Sequence, residues 1–299
     1  MKQAVRYGGL TLALVGAMVL AGCGGDGASS DKKAPAFDTS KEVHVISRED
    51  GSGTRGAFVE LLGIEVKENG KKVDRTISSA QITNSTNVMM TQVANDEYAL
   101  GYISLGSLND TVKALDVDGA KATPENIANG SYKLARPFHV VMNKGQALSA
   151  ESEDFLRFIH SKEGQKIVAD NGYIAVDSDA KDYQPLNTEG KIVVAGSSSV
   201  TPVMEKLAEA YNKHNPSLKI EVQQSDSTTG IQAAMNGTAD LGMASRDLKD
   251  SEKDKVSADV IARDGLAVIV NLKNPTTNVA ADTVRDLYIG ALTKWNEVK

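Results

Sequence analysis

Three stretches of the chain place serines, threonines and glycines where a predicted strand gives way to a predicted helix. They are Gly51–Thr54, Ser197–Ser199 and Asp226–Gly230. The first turn of a helix has backbone N–H groups without intrahelical partners and carries the positive end of the helix dipole, so it favours an anion. Serine and threonine are also the usual N-caps, and each stretch taken alone is typical of capping. Together with Arg48 and the pair Ser245-Arg246, the three stretches predict an anion-binding site.

The elements around these stretches alternate between two periodicities. Polar and apolar residues alternate over 41–47, which predicts a strand, and apolar residues at helical spacing predict a helix over 56–64. Further strands are expected at 98–106, 136–143, 191–196, 218–225, 239–245 and 264–271. Further helices are expected at 86–96, with Asn84 or Ser85 as N-cap, and at 152–172, 200–215, 231–237 and 280–299. Strands that alternate with helices indicate the α/β class.

The composition excludes several classes of function. A formal charge of −6 and the absence of a Lys/Arg run argue against a nucleic-acid partner. Four scattered His and one Cys give no metal-ligand spacing, so neither a metal site nor a cofactor is expected. A serine nucleophile needs a base within reach, and no His stands beside any of the three stretches. Residues 51–53 also match neither the G-x-S-x-G elbow nor a phosphate-binding loop that ends in G-K-[ST]. These observations predict binding rather than catalysis.

The first 23 residues are typical of a secretion leader. Lys2 and Arg6 precede a short apolar run that ends in "LAGC", and this pattern resembles a lipobox whose Cys23 is lipidated and becomes the mature N-terminus. An ordinary signal peptide with a chance cysteine is the alternative. Residues 24–40 are rich in Gly, Ser, Asp and Lys and predict a flexible tether. We therefore expect an extracytoplasmic protein held to the membrane by lipid.

Several segments together resemble the substrate-binding subunits of phosphate ABC transporters, a family of periplasmic and lipid-anchored binding proteins. They are "SREDGSGTRGAF", "GSSSVTPVMEKLAEAYNKHNP", "DSTTGIQAAMNGTADLGMASRDLKDSE", "DGLAVIVN" and "LYIGALTKWNEV". The resemblance implies a two-lobed α/β fold of the type II periplasmic-binding-protein class with a ligand cleft between the lobes. In that family the "GSSSV" segment comes first and "SREDGSGTR" follows "KWNEV", so the order here indicates a circular permutation, with 179–190 bridging the family's usual ends.

The permutation implies one continuous and one composite lobe. Residues 134–273 would form the first and carry the GSSSV and DSTTG corners. Residues 41–133 plus 274–299 would form the second and carry the SREDGSGTR loop. The chain would cross between lobes near 134–142 and near 270–275.

The resemblance also assigns roles to particular residues and partners. It implies phosphate contacts for Arg48, Ser52, Gly53, Thr54, Ser198, Ser199, Ser227 and Ser245. Asp50 matches a carboxylate that orients the arginine, and Ser245 stands where several members have an Asp that accepts the proton of hydrogen phosphate. The implied partners are inorganic phosphate and an ABC permease and ATPase, and the implied state is a monomer. Binding of sulfate, molybdate or tungstate stays open, as does phosphate sensing without transport.

Overall fold

The structure is a computed structural model that describes residues 36–298. The predicted leader, Cys23 and most of the predicted tether lie outside these residues. Strands run over β1 His44–Arg48, β2 Glu65–Glu68, β3 Lys71–Asp74, β4 Gln81–Thr83, β5 Ala99–Ser104, β6 Lys113–Ala114, β7 Asp116–Val117, β8 Ala135–Asn143, β9 Gly190–Ser197, β10 Leu218–Ser225, β11 Leu241–Ala244, β12 Val256–Val270 and β13 Asn278–Val279.

Helices connect most of these strands. They are α1 Gly53–Leu61, α2 Thr86–Asn95, α3 Pro124–Ala128, α4 Ala150–Ile159, α5 Lys162–Asp170, α6 Thr201–His214, α7 Ser227–Asn236, α8 Asp250–Lys253 and α9 Ala281–Tyr288, with 3₁₀ turns at Leu105–Ser107 and Trp295–Glu297. Over residues 36–298, none of these helices combines the length and the apolar character needed to cross a bilayer.

The main sheet has the strand order β10-β9-β11-β8-β12-β5-β1-β4. Strands β10, β9 and β11 are parallel to one another, and so are β5, β1 and β4. The antiparallel pair of β8 and β12 joins the two parallel groups. Because parallel strands end at the same edge, each group gathers its strand-to-helix corners in one place.

Two large hydrophobic cores flank this sheet. One contains buried residues from Val43 to Leu134 and from Leu266 to Trp295, and the other contains residues from Phe138 to Ala262. The long strand β12 contributes to both, because Ile261 and Ala262 pack in the second core while Leu266–Val270 pack in the first. The strand therefore passes from one core to the other near Asp264.

The single helix predicted over 152–172 is wrong. The structure has two helices there, α4 and α5, because Ser161 caps a new helix through its Oγ, which accepts from the amide of Gly164 at 3.1 Å. Gly164 also packs against the end of α4, where a Cβ would lie 2.2 Å from the carbonyl oxygen of Phe158. A polar cap residue inside an amphipathic pattern therefore marks a break that periodicity alone does not reveal.

Both ends of the described chain differ from the expectation. Helix α9 ends at Tyr288, before Gly290 with its φ of +77°, so 280–299 is helical only in its first part. Phe37 packs against Tyr98 and Trp295 with ring centroids 5.0 and 5.8 Å apart. The packed structure therefore begins inside the segment 24–40, which was predicted to be a tether.

Candidate anion-binding site

The corners predicted from the sequence follow strands that are paired in parallel. Arg48 at the end of β1 is in register with Thr83 at the end of β4, and Ser197 at the end of β9 is in register with Ser225 at the end of β10. The helices α1, α2, α6 and α7 begin immediately after these strand ends. This topology explains why Arg48 and Ser198, which are 150 positions apart, lie in one site.

Hydroxyl groups from the corners contact one another and are buried. We call the following set the hydroxyl cluster: Thr54, Thr86, Ser197, Ser198, Ser199, Ser227 and Ser245. Thr54 Oγ1 lies 2.7 Å from Ser199 Oγ, and Ser197 Oγ donates to Ser245 Oγ at 2.9 Å. Ser227 Oγ accepts from the amide of Ser245 at 3.0 Å. The structure thus brings four of the predicted serines and Thr54 together.

Arg48 lies against the hydroxyl cluster and is 1% exposed. Its Nη2 donates to Ser198 Oγ at 3.0 Å, and its Nε and Nη2 each donate to a carboxylate oxygen of Glu49 at 2.7 Å. Among the described residues, its Nη1 is buried and has no hydrogen-bond acceptor. A cationic donor in this state is costly unless a ligand supplies the acceptor.

A buried aromatic group fixes the end of β1, where Arg48 stands. The Tyr102 hydroxyl accepts from the amide of Arg48 at 3.2 Å and lies 3.0 Å from Ser47 Oγ. The Tyr102 ring stacks on Phe58 of α1 with centroids 3.8 Å apart. Burial raises the pKa of Tyr102 to about 12, so its hydroxyl stays neutral at physiological pH. The strand end and α1 are therefore held together beneath the site.

The carboxylate that orients Arg48 is Glu49, and the expectation for Asp50 is wrong in this respect. The Asp50 side chain is 99% exposed and pairs with Arg55 Nη1 at 2.7 Å. Arg55 also donates to Asp74 at 2.8 Å and to the carbonyl of Arg48 at 3.0 Å. Because Asp50 points to solvent, it supports the loop only through Arg55.

Ser52 and Gly53 occupy positions that the turn requires. Ser52 caps α1, since its Oγ accepts from the amide of Arg55 at 3.3 Å. A Cβ at Gly53 would lie 2.3 Å from Ser227 Oγ and 2.7 Å from Ser245 Oγ. Only glycine leaves room for the backbone of this corner to approach the serines that follow β10 and β11.

Two further arginines near the site are held by protein acceptors. Arg136 on β8 donates to Asp264 through Nη2 at 2.9 Å and Nε at 3.1 Å, and through Nη1 to the carbonyl of Ser245 at 3.3 Å. Burial raises the pKa of Asp264 and lowers that of Arg136, and the ion pair opposes both shifts. Arg246 is paired at both Nη atoms with Glu252. Among the described residues, Arg48 is thus the arginine of this region that keeps a free buried donor.

Sequence reasoning missed Thr86, Glu49, Arg136 and Asp264. The sequence did mark α2, with Ser85 as a possible cap, and the structure confirms the cap with a 3.3 Å bond to the amide of Val88. What it did not reveal is that β4, too short to give a clear pattern, brings α2 beside Arg48. The Arg136–Asp264 pair follows from the pairing of β8 with β12 and leaves no local signal in the sequence, whereas Glu49 adjoins Arg48 but is equivalent to Asp50 in the sequence.

The site is built to donate hydrogen bonds. In the part of the chain that the structure describes, no His contacts the hydroxyl cluster, and no group of His, Cys, Asp and Glu has the arrangement of a metal site. Hydroxyls, helix amides and one guanidinium can hold a tetrahedral anion, and none of these groups is a general base at neutral pH.

Comparisons with known proteins agree with this geometry. A family model described as "PBP superfamily domain" matches residues 32–163 and 182–299. The phosphate-binding protein PstS 2 of Streptococcus agalactiae is 50% identical over 95% of this chain and 94% of its own length. PstS of Bacillus subtilis is 34% identical over 46% of this chain and 42% of its own.

A solved structure extends the match to three dimensions. The crystal structure of a phosphate ABC transporter phosphate-binding protein from Streptococcus pneumoniae is 45% identical, with a TM-score of 0.69. The match spans 86% of this chain and the whole of the solved chain. The chain therefore belongs to the PBP superfamily, in the family of the phosphate-binding proteins that it matches, and has the two-lobed fold of that superfamily.

Proposed function

We propose that this protein binds inorganic phosphate outside the cytoplasmic membrane and delivers it to an ABC importer. The observation that carries the proposal is Arg48 Nη1, a buried guanidinium nitrogen without an acceptor in the described residues, beside the hydroxyl cluster. An anion that accepts from Nη1 and from the hydroxyls removes the cost of that unpaired buried donor. The names of the relatives support phosphate as this anion.

The proposed phosphate contacts are those expected from the sequence. They are Arg48, Ser52, Gly53, Thr54, Ser198, Ser199, Ser227 and Ser245. Phosphate presents four oxygens, one of which keeps a proton near neutral pH. A serine hydroxyl can donate to an ionised oxygen or rotate to accept from the protonated one, so a cluster of hydroxyls suits both kinds of oxygen.

We propose that the site lies between two lobes, 134–273 and 41–133 plus 274–299, in a permuted order. The two hydrophobic cores support a division into two lobes, but Leu266–Val270 pack with the first core, and this supports a boundary and crossing near Asp264 instead of near 270–275. The partial match to the Bacillus subtilis protein also supports permutation, because a collinear alignment recovers only one of two exchanged blocks. The match over 95% of this chain implies that PstS 2 of Streptococcus agalactiae shares the order.

The proposed place of action is the outer face of the cytoplasmic membrane. The leader-like residues 1–23 with "LAGC" support lipidation of Cys23 and anchoring by that lipid. A permease and an ATPase are the partners that delivery requires, and the protein acts as a monomer. Mass spectrometry of the membrane fraction tests the anchor, since a diacylglycerol adduct on Cys23 is expected.

Calorimetric titration of the chain that lacks residues 1–23 tests the ligand. Phosphate, sulfate, molybdate and tungstate are titrated separately, and phosphate is expected to bind most tightly. Equal affinities would make the protein a general oxyanion binder, and no heat with any anion would refute the proposal. Phosphate uptake is also measured in cells that lack the gene. Loss of uptake is expected for a transport protein, whereas unchanged uptake would favour sensing without transport.

A further inference from the structure

Helix α2 begins beside Arg48, although its sequence gave no sign of a ligand site. Strand β4 pairs in parallel with β1, and its last residue, Thr83, is opposite Arg48. Three residues later α2 starts at Thr86. Because α2 has ten residues, its first turn carries a full set of amides that intrahelical bonds do not reach.

Capping does not account for the Thr86 side chain. Ser85 is the cap, and its Oγ accepts from the amide of Val88 at 3.3 Å. Thr86 is 3% exposed, and its Oγ1 lies 3.4 Å from Ser198 Oγ and 3.3 Å from Ser199 Oγ. Both distances exceed the usual range of about 2.5–3.0 Å for O–H···O bonds, so neither serine is a close partner for this hydroxyl.

A second observation concerns Arg48, whose guanidinium lies near the Thr86 hydroxyl. Ser198 Oγ, which lies 3.4 Å from Thr86 Oγ1, also accepts from Arg48 Nη2 at 3.0 Å. Arg48 Nη1 on the same guanidinium is buried and has no acceptor among the described residues. Thr86 Oγ1 and the Arg48 guanidinium therefore approach the same serine. Because that guanidinium also carries the unpaired Nη1, the region beside these three residues is where an anion gains most.

We propose that Thr86 Oγ1 donates a hydrogen bond to the bound anion, so that α2 is a fourth corner of the site. This inference rests on the proposed function and names a binding residue for it. The tetrahedral oxygens would then receive donors from the starts of α1, α2 and α7 and from the Ser198-Ser199 turn before α6. The helix dipole of α2 adds to the attraction, since its positive end faces the same region.

Titration of inorganic phosphate into the Thr86→Val protein tests the proposal. The chain without residues 1–23 keeps the whole compact unit Phe37–Lys299 and is the protein to use. Valine keeps the shape and removes the hydroxyl, and loss of one hydrogen bond to a charged group predicts binding weakened about tenfold. Thr86→Ser keeps the donor and is expected to bind within about twofold of the original protein.

Thr91→Val is the matched control, because Thr91 lies in the same helix, is exposed, and donates its side-chain hydroxyl to the carbonyl of Asn87, away from the site. Its phosphate affinity is expected to be unchanged. If Thr86→Val binds as tightly as Thr91→Val, the role of Thr86 is refuted while the proposed function stands. If the original protein binds no phosphate, both fall. A Thr86→Val protein that does not fold leaves Thr86→Ala and Thr86→Ser to decide, and equal affinity of those two also refutes the role.

Discussion

Two buried arginines, Arg48 and Arg136, stand at the ends of neighbouring parts of the same sheet and differ in how completely the protein binds them. Arg136 has its Nε, Nη1 and Nη2 bonded to Asp264 and to the carbonyl of Ser245. Arg48 has Nε and Nη2 bonded to Glu49 and Ser198, and its Nη1 is free of acceptors in the described residues. Burial is nearly the same, at 3% and 1% exposure.

The difference separates a structural charge from a binding charge. The Arg136–Asp264 pair joins β8 to β12 where β12 passes between the two cores, so its acceptors belong to the fold. Arg48 is only partly satisfied by the described residues, and under the proposed function phosphate supplies the missing acceptor. Burial or charge alone does not distinguish the two residues, whereas the count of unused donors does.

The largest effect is expected from Arg136→Met. This change leaves Asp264 buried without its partner, and breaking a buried ion pair in this way costs about 3–5 kcal/mol of unfolding free energy. Urea denaturation of the chain without residues 1–23 measures it. The double variant Arg136→Met with Asp264→Leu should recover much of the loss, since no unpaired charge is left. A single-variant loss below about 1 kcal/mol would show that the pair is not a structural element.

The next effect concerns Arg48 and appears in binding. Arg48→Ala is expected to weaken phosphate binding by roughly 30-fold or more, because truncating one partner of a buried charge pair costs about 2–5 kcal/mol. Its unfolding free energy should change less than that of Arg136→Met. Arg285→Ala is the control, since Arg285 is half-exposed in α9 and pairs with Asp282 and Asp286 nearby in sequence. An unchanged dissociation constant would remove Arg48 from the site.

Local sequence patterns predicted the hydroxyl residues near Arg48 but not the Arg136–Asp264 pair. Ser198, Ser227 and Thr54 follow strand ends next to helix starts, and this local feature is visible in the sequence and correctly predicted their meeting. The Arg136–Asp264 pair depends on the antiparallel register of β8 and β12, which no local pattern encodes. Glu49 was missed because neighbouring carboxylates in a loop are equivalent in the sequence, and only the path of the Arg48 side chain selects one.

Lipidation of Cys23 concerns residues outside 36–298. The lobe boundaries and the circular permutation stay predictions, as do the individual phosphate contacts. The α/β class, by contrast, is confirmed by the sheet with its two parallel groups and by membership of the PBP superfamily.

Ser245 contacts Arg136 and belongs to the hydroxyl cluster beside Arg48, and it is expected to control selectivity. Its carbonyl accepts from Arg136, and its hydroxyl lies in the cluster beside Ser197 and Ser227. A hydroxyl can accept the proton of hydrogen phosphate but can also donate to sulfate, so we expect a phosphate preference of about tenfold, or ~1.4 kcal/mol. Ser245→Asp should widen the ratio, because an ionised carboxylate only accepts. Titration of both anions into both proteins near neutral pH measures this, and an unchanged ratio would mean that residue 245 does not face the protonated oxygen.

The smallest effect distinguishes the two carboxylates beside Arg48. Glu49→Gln replaces a charged acceptor that holds Nε and Nη2 with a neutral one, so the guanidinium is directed less firmly at the ligand. The same change removes a negative charge that repels a dianion, and this opposes the first effect. In a buried site we expect the loss of the charge-assisted bond to Arg48 to outweigh the relief of repulsion, so binding should weaken by roughly threefold.

Asp50→Asn is the matched control, and it should leave the affinity unchanged, since Asp50 is exposed and bonds Arg55 instead. Calorimetry on both variants decides the matter. Tighter binding by Glu49→Gln would show that repulsion outweighs orientation, and equal weakening by the two variants would support the orienting role that the family resemblance implies for Asp50.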